Sequence, residues 1–166
     1  MFGWSKAERD EEFTAFMREA QASLSRTAWL VTGDRALAAD LVQEALARTY
    51  AAWPRVRRGE ALPYARRALV NLNVSRWRKA HGEVVDDTLD SVAPSAEASA
   101  DTKDQVARLL ARLPAQQRAV LVLRYIEDLP EAEIAQALGI APGTVKSAAS
   151  RGLATLRTLN TEGTPA

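Results

Sequence analysis

The sequence predicts an all-α protein of two small helical domains joined by a flexible acidic linker. Three observations point there. Apolar residues recur at helical spacing through most of the 166 residues, and 47% of the chain is hydrophobic. Ala, Leu, Arg and Glu dominate, while long runs of Val, Ile and Thr are absent. Charge is also segregated. Residues 55–79 carry Arg55, Arg57, Arg58, Arg66, Arg67, Arg76, Arg78 and Lys79 against the single acid Glu60. Residues 83–101 carry Glu83, Asp86, Asp87, Asp90, Glu97 and Asp101 with no base. A net charge of +1 therefore hides a basic block followed by an acidic one.

The first helix spans about residues 7–31, with Phe13, Phe16, Met17, Ala20, Leu24, Thr27, Ala28 and Val31 at helical spacing. Gly33 suits a left-handed C-cap and Asp34 the next N-cap. The second helix runs to about residue 53, where Pro54 stops it. Ala38, Leu41, Val42, Ala45 and Thr49 form one face, and Asp40, Gln43 and Glu44 lie opposite. Residues 54–63 form an arginine-rich loop.

The third helix covers about 64–79, with one apolar stripe at Ala65, Ala68, Leu69 and Leu72 and a second at Val70, Val74 and Trp77. Two stripes imply packing against two neighbours, so these three helices share a core. Trp29 and Trp53 belong to it as well. His81 follows as a solvated residue past the helix end.

Residues 82–102 are acidic and rich in Ala, Ser and Pro, the composition of a linker, with room for a short helix around Leu89. A second domain covers 103–160. Val106, Leu109, Leu110 and Leu113 mark a short amphipathic helix closed by Pro114, and residues 116–126 mark another. The tail from 161 onward is expected to fray.

The sharpest local signal is a helix-turn-helix over residues 131–157. Ile134, Ala135 and Leu138 lie on one face of a short helix. Gly139 supplies the turn, Ile140 plugs it, and Pro142 opens the next helix. Val145, Ala149, Leu153 and Leu156 form that helix's inward stripe. Its outward residues are Thr144, Lys146, Ser147, Ser150 and Arg151, polar or cationic as a major-groove surface needs.

Other chemistries are excluded by composition. With no cysteine and a single histidine, there is no disulfide and no thiolate or histidine metal site. Nothing pairs an acid with a base or forms a phosphate loop, so neither catalytic residue nor cofactor is expected. Trp4, Lys6 and Glu8 stand where a signal peptide would be apolar. No segment approaches the roughly 20 apolar residues of a membrane span. A soluble, cytoplasmic protein without membrane insertion is expected.

Several strings resemble one family when taken in order. Asp40-Leu41-Val42-Gln43-Glu44, on a helix preceded by Gly33-Asp34, resembles the core-polymerase-binding helix of sigma factors. Residues 64–79, with Arg67 and Val70-Asn71-Leu72, resemble their promoter-melting and −10-reading helix. Leu113-Pro114 with Arg118, Leu121, Leu123 and Arg124 looks like the helix before the −35 reader. Glu133-Ile134-Ala135, Leu138-Gly139-Ile140, Gly143-Thr144-Val145-Lys146-Ser147 and Arg151 look like the reader itself. Together they cover nearly the whole chain, and the family is the extracytoplasmic-function sigma factors, which keep only sigma domains 2 and 4.

The resemblance implies sigma domain 2 over 7–81, a linker over 82–102 and sigma domain 4 over 103–160. Asp40, Leu41, Gln43 and Glu44 would bind core RNA polymerase. Arg66, Arg67, Asn71 and Arg76 would hold single-stranded −10 DNA, with the other arginines of residues 55–78 along its backbone. Thr144, Lys146, Ser147, Ser150 and Arg151 would read duplex −35 DNA. An anti-sigma factor is a further partner of such proteins. Many relatives carry an aromatic in the loop before the −10 helix; here the loop offers Val56 among arginines, with Leu62 and Tyr64 at its end.

The residues alone leave alternatives open. The acidic stripe can be merely solvated, and Asn71 can cap a neighbouring turn. The helix-turn-helix alone also fits a regulator that acts on duplex DNA without being a polymerase subunit.

Overall fold

The computed structural model describes residues 3–81 and 102–162, and all regular structure among them is helical. The linker reading and the short helix around Leu89 lie outside the described residues, as do residues 163–166 of the tail.

Helix α1 (Lys6–Thr32) opens on a capping box. The Ser5 hydroxyl accepts from the Glu8 amide at 3.2 Å, and the Glu8 carboxylate accepts from the Ser5 amide at 2.8 Å. It closes on Gly33 in the left-handed region, φ 65°, as expected. Asp34 then caps α2 (Arg35–Ala52) by accepting from the Leu37 amide at 3.1 Å.

Helix α3 (Ala61–His81) begins three residues earlier than the sequence suggested. Pro63 falls inside its first turn, where a missing N–H leaves no bond unmade. His81 is its last residue rather than one beyond it. Helices α1, α2 and α3 bury a common core of Leu24, Val31, Leu41, Val42, Leu69 and Val70, with Trp53 almost wholly enclosed. Phe13 meets Trp53 edge to face at 5.1 Å.

The second domain comprises α4 (Thr102–Ala111), α5 (Ala115–Leu121), α6 (Glu131–Leu138) and α7 (Pro142–Glu162). The single helix expected over 116–126 is instead α5 followed by a π-helical turn, Val122–Ile126. Glu127 donates its amide to the Val122 carbonyl at 3.1 Å across that turn, and Asp128 then takes a left-handed φ of 55°. Pro130 cannot supply an amide to prolong the helix. The wide turn leaves Tyr125 and Ile126 exposed while the Glu127 side chain is 3% exposed.

Gly139 takes φ 66° between α6 and α7, as the turn requires. The inward stripe of α7 differs from expectation. Val145, Ala148 and Gly152 are buried, whereas Ala149, Leu153 and Leu156 are half-buried. Gly152 explains the offset: a Cβ there would lie 2.9 Å from Leu121 Cδ1, so α5 and α7 approach most closely where no side chain stands.

The two domains pack against each other, and Arg118 is the pin between them. It is 6% exposed and its guanidinium is spent on main-chain oxygens. It donates to Leu110 at 2.8 Å, to Ala111 and Leu113 at 2.9 Å each, and to Val31 at 2.7 Å. The first three finish the open end of α4; the fourth reaches across to the end of α1. Burial pushes the Arg118 pKa down to about 10, which still leaves it charged at neutral pH.

Candidate nucleic-acid and polymerase interfaces

The outward face of α7 is assembled as the sequence suggested. Thr144, Lys146, Ser147, Ser150 and Arg151 are all exposed, over a base of Val145, Ala148 and Gly152. Ser147 donates to the Gly143 carbonyl at 3.0 Å. The Lys146 ammonium stands 3.9 Å from Glu131, with its side chain 71% exposed, so that contact restrains it little. A convex helix with its polar residues outward and its first turn open can enter a major groove.

The face of α3 is arranged differently. Arg66 donates to Glu127 at 3.3 Å and also to the Ser23 hydroxyl. Burial raises the Glu127 pKa, and the adjacent Arg66 offsets part of that rise. Arg67 lies 3.6 Å from Glu133 of α6. Arg78 donates to the Leu138 carbonyl, at the end of α6, at 3.0 Å. Asn71 is exposed toward a cleft of about 510 Å³ that also receives Arg48, Tyr64, Arg67, Glu133 and Gln136. Of the expected strand-reading residues, Arg67 and Asn71 share this cleft, with helix α6 as the opposite wall, whereas Arg66 turns to Ser23 and Glu127 and Arg76 to Glu44.

The acidic stripe of α2 is divided. Asp40 and Gln43 are exposed. Glu44 lies 3.8 Å from Arg76 and 4.0 Å from Arg48, so it links two surfaces the sequence treated separately. Leu41 is a correction: it is 0% exposed, packed beneath the stripe, and cannot touch a partner without unfolding the helix.

Asn73 was missed. It is 8% exposed and donates to the Val31 carbonyl at 3.2 Å, beside Arg118. Two residues from Asn71, it lies about 200° around the helix, so one asparagine points outward and the other into the core. The same interior location of Val70 and Val74 was the available signal.

Among the described residues no group of three His, Asp or Glu could hold a metal, and no helix is long and apolar enough to cross a membrane.

Comparisons with known proteins follow the same division. The family model described as Sigma-70 region 2 matches residues 16–83, and that described as Sigma-70 region 4 matches residues 103–156. The RNA polymerase sigma-E factor of Streptomyces coelicolor is 37% identical over 149 residues, spanning 88% of this chain and 84% of that protein. The ECF RNA polymerase sigma factor SigL of Mycobacterium tuberculosis is 39% identical over 145 residues, 80% of each chain. SigM of the same species is 31% identical over 150 residues, spanning 89% of this chain and 76% of that protein. A solved structure of the sigma factor RpoE with the anti-sigma factor NepR from Bartonella quintana superposes with a TM-score of 0.64. It covers 93% of this chain and 99% of that one, and at 24% identity it speaks to the fold alone.

Proposed function

The chain belongs to the extracytoplasmic-function sigma factors of the sigma-70 family, and from that premise we propose how its surfaces divide the work of bringing RNA polymerase to a promoter. Residues 7–81 act as sigma domain 2, residues 103–160 as sigma domain 4, and the segment between them as the linker. Asp40 and Gln43, with Glu44 when it leaves Arg76, dock on core polymerase. Thr144, Lys146, Ser147, Ser150 and Arg151 read the −35 element as duplex, through base edges and phosphates. Arg66, Arg67, Asn71 and Arg76 hold the −10 strand once it opens. A flipped base is read through hydrogen bonds that an asparagine amide can supply.

The observation that carries this reading is the presence of two unlike nucleic-acid faces in one chain, one on α7 and one on α3. A regulator of duplex DNA has no use for the second. The chain itself makes and breaks no bond, and its place is the cytoplasm with the polymerase.

In the arrangement described, α6 and the −10 strand compete for the same face of α3. Docking on core polymerase therefore has to part the domains before the strand can be captured. Contacts between exposed groups such as Arg67 and Glu133 are worth only about 0–1 kcal/mol each, so polymerase binding has chiefly to replace the buried contacts of Arg118 with Val31 and of Arg66 with Glu127. An anti-sigma factor acts by opposing it, and the solved RpoE neighbour is itself bound by one.

The test is run-off transcription with purified core polymerase on templates from upstream of the chain's own gene. Initiation should depend on the protein and fall at least tenfold for Asp40→Ala/Gln43→Ala, the loss expected when about 1.4 kcal/mol of docking is removed. No initiation on any template, with no co-elution with core polymerase, would sink the proposal.

A further inference from the structure

The loop between α2 and α3 makes few bonds of its own. Two single 3₁₀ turns, Trp53–Arg55 and Arg58–Glu60, are all its regular structure. The loop nonetheless shapes an open cleft of about 290 Å³ with Arg55, Val56, Arg57 and Glu60 on one side and Tyr64 and Arg67 on the other. Tyr64 and Arg67 also line the Asn71 cleft, so the two are continuous along α3. An aromatic ring among guanidinium groups is the composition of a single-strand site.

The arginines of this loop do different things. Arg55 and Arg57 are exposed, and among the described residues neither is paired with an acid. Arg58 turns away from the cleft. Its Nε and one terminal nitrogen grip both oxygens of Glu12 on α1, the second at 2.9 Å. Its other terminal nitrogen donates to the Val56 carbonyl at 3.0 Å and to that of Trp53 at 3.3 Å. The guanidinium lies 4.0 Å from the centre of the Trp53 ring, which is itself fixed by Phe13 and Phe16. Four of its five N–H donors are engaged within the protein and the Glu12 carboxylate already faces its charge, so Arg58 has far less to offer a phosphate than Arg55 or Arg57.

We propose that Arg58 is a positioning residue for base selection at −10: clamped between Glu12 and Trp53, it sets the loop so that Arg55, Val56 and Arg57 stand over the cleft, and it makes no contact with DNA. This rests on the reading of α3 as the −10 strand reader. A fixed wall discriminates between bases, whereas a loose one accommodates any of them.

The experiment is run-off transcription with core polymerase on a panel of templates changed one base at a time across −10. For the native protein, best and worst bases should differ about tenfold or more. Arg58→Ala should compress that spread to within about threefold while the salt dependence of the promoter complex is unchanged, since no phosphate contact is lost. Arg58→Glu/Glu12→Arg should restore part of the spread. Glu12→Gln, which keeps the packing, should compress it by a smaller factor and serves if Arg58→Ala does not fold. Equal loss on all templates with a salt slope lower by about one would make Arg58 a phosphate contact and overturn the proposal. So would an unaltered spread in folded Glu12→Gln. Failure of the native protein to initiate anywhere would instead overturn the underlying reading of α3, and this one with it.

Discussion

The polar faces of α7 and α3 are built from similar residues and are held in opposite ways. On α7 the polar groups are exposed, and the helix is fixed from beneath by close apolar contact at Val145, Ala148 and Gly152. On α3 the cations are themselves the attachment: Arg66 to Glu127, Arg67 to Glu133 and Arg78 to the end of α6. On the proposed division of roles, one face is ready for duplex DNA as it stands, whereas the other has to exchange internal partners for a strand. The proposal therefore predicts a duplex contact first and a strand contact later.

The comparison breaks most completely at the pin. Arg118→Ala should lower stability by at least about 2 kcal/mol, the effect of leaving several buried carbonyls without their donor. Because Arg118 serves both domains, urea unfolding should divide into two transitions, with the α3 face as open as that of α7. Unchanged stability with one transition would mean that the pin does not hold the domains.

Next in size is the underside of α7. Gly152→Val presses its side chain onto Leu121, and overpacking of this kind costs about 1–3 kcal/mol. Ser150→Ala, on the outer side of the same helix, should alter stability by less than about 0.5 kcal/mol yet weaken binding to a −35 duplex. Thermal melts alongside duplex titration separate the two. A large stability loss in Ser150→Ala would remove the claim that this face is free of structural duty.

Smaller effects sharpen the contrast. Glu133→Gln removes a half-exposed partner of Arg67 without adding a cation. Affinity of the protein alone for a −10 single strand should rise by up to about fivefold, the worth of one exposed pair. Glu127→Gln tests the buried neighbour by pH. A carboxyl whose pKa is raised on folding gives stability that is present below its unfolded value and lost as pH rises through its folded one. Denaturation midpoints should therefore shift in favour of the Gln variant between pH 4 and pH 7. A shift toward the native protein would mean that Arg66 outweighs burial.

Much of the architecture was legible in the sequence because it depends on local signals. Gly33, Gly139 and the apolar spacing of α1, α2 and α6 mark their positions through backbone freedom and periodicity. The helix-turn-helix face followed from the same rules. What was not legible depends on contacts distant in sequence. Leu41 lies within a string that resembles a docking motif, yet its place in the 3.6-residue repeat puts it underneath. Arg58 and Arg55 look alike as letters; only Glu12, far away on α1, distinguishes them. The offset of the α7 stripe toward Gly152 depends on Leu121.

The main-chain oxygen of Val31 accepts from Asn73 at 3.2 Å and from Arg118 at 2.7 Å. Two donors drawing on one carbonyl lengthen its double bond slightly and lower its stretching frequency, and one of the two leaves when the domains separate. A single carbon-13 label at that position would thus act as a vibrational gauge inside the molecule. It would show in the infrared, without a dye or a tether, what fraction of the protein has let go of itself at each stage of promoter engagement.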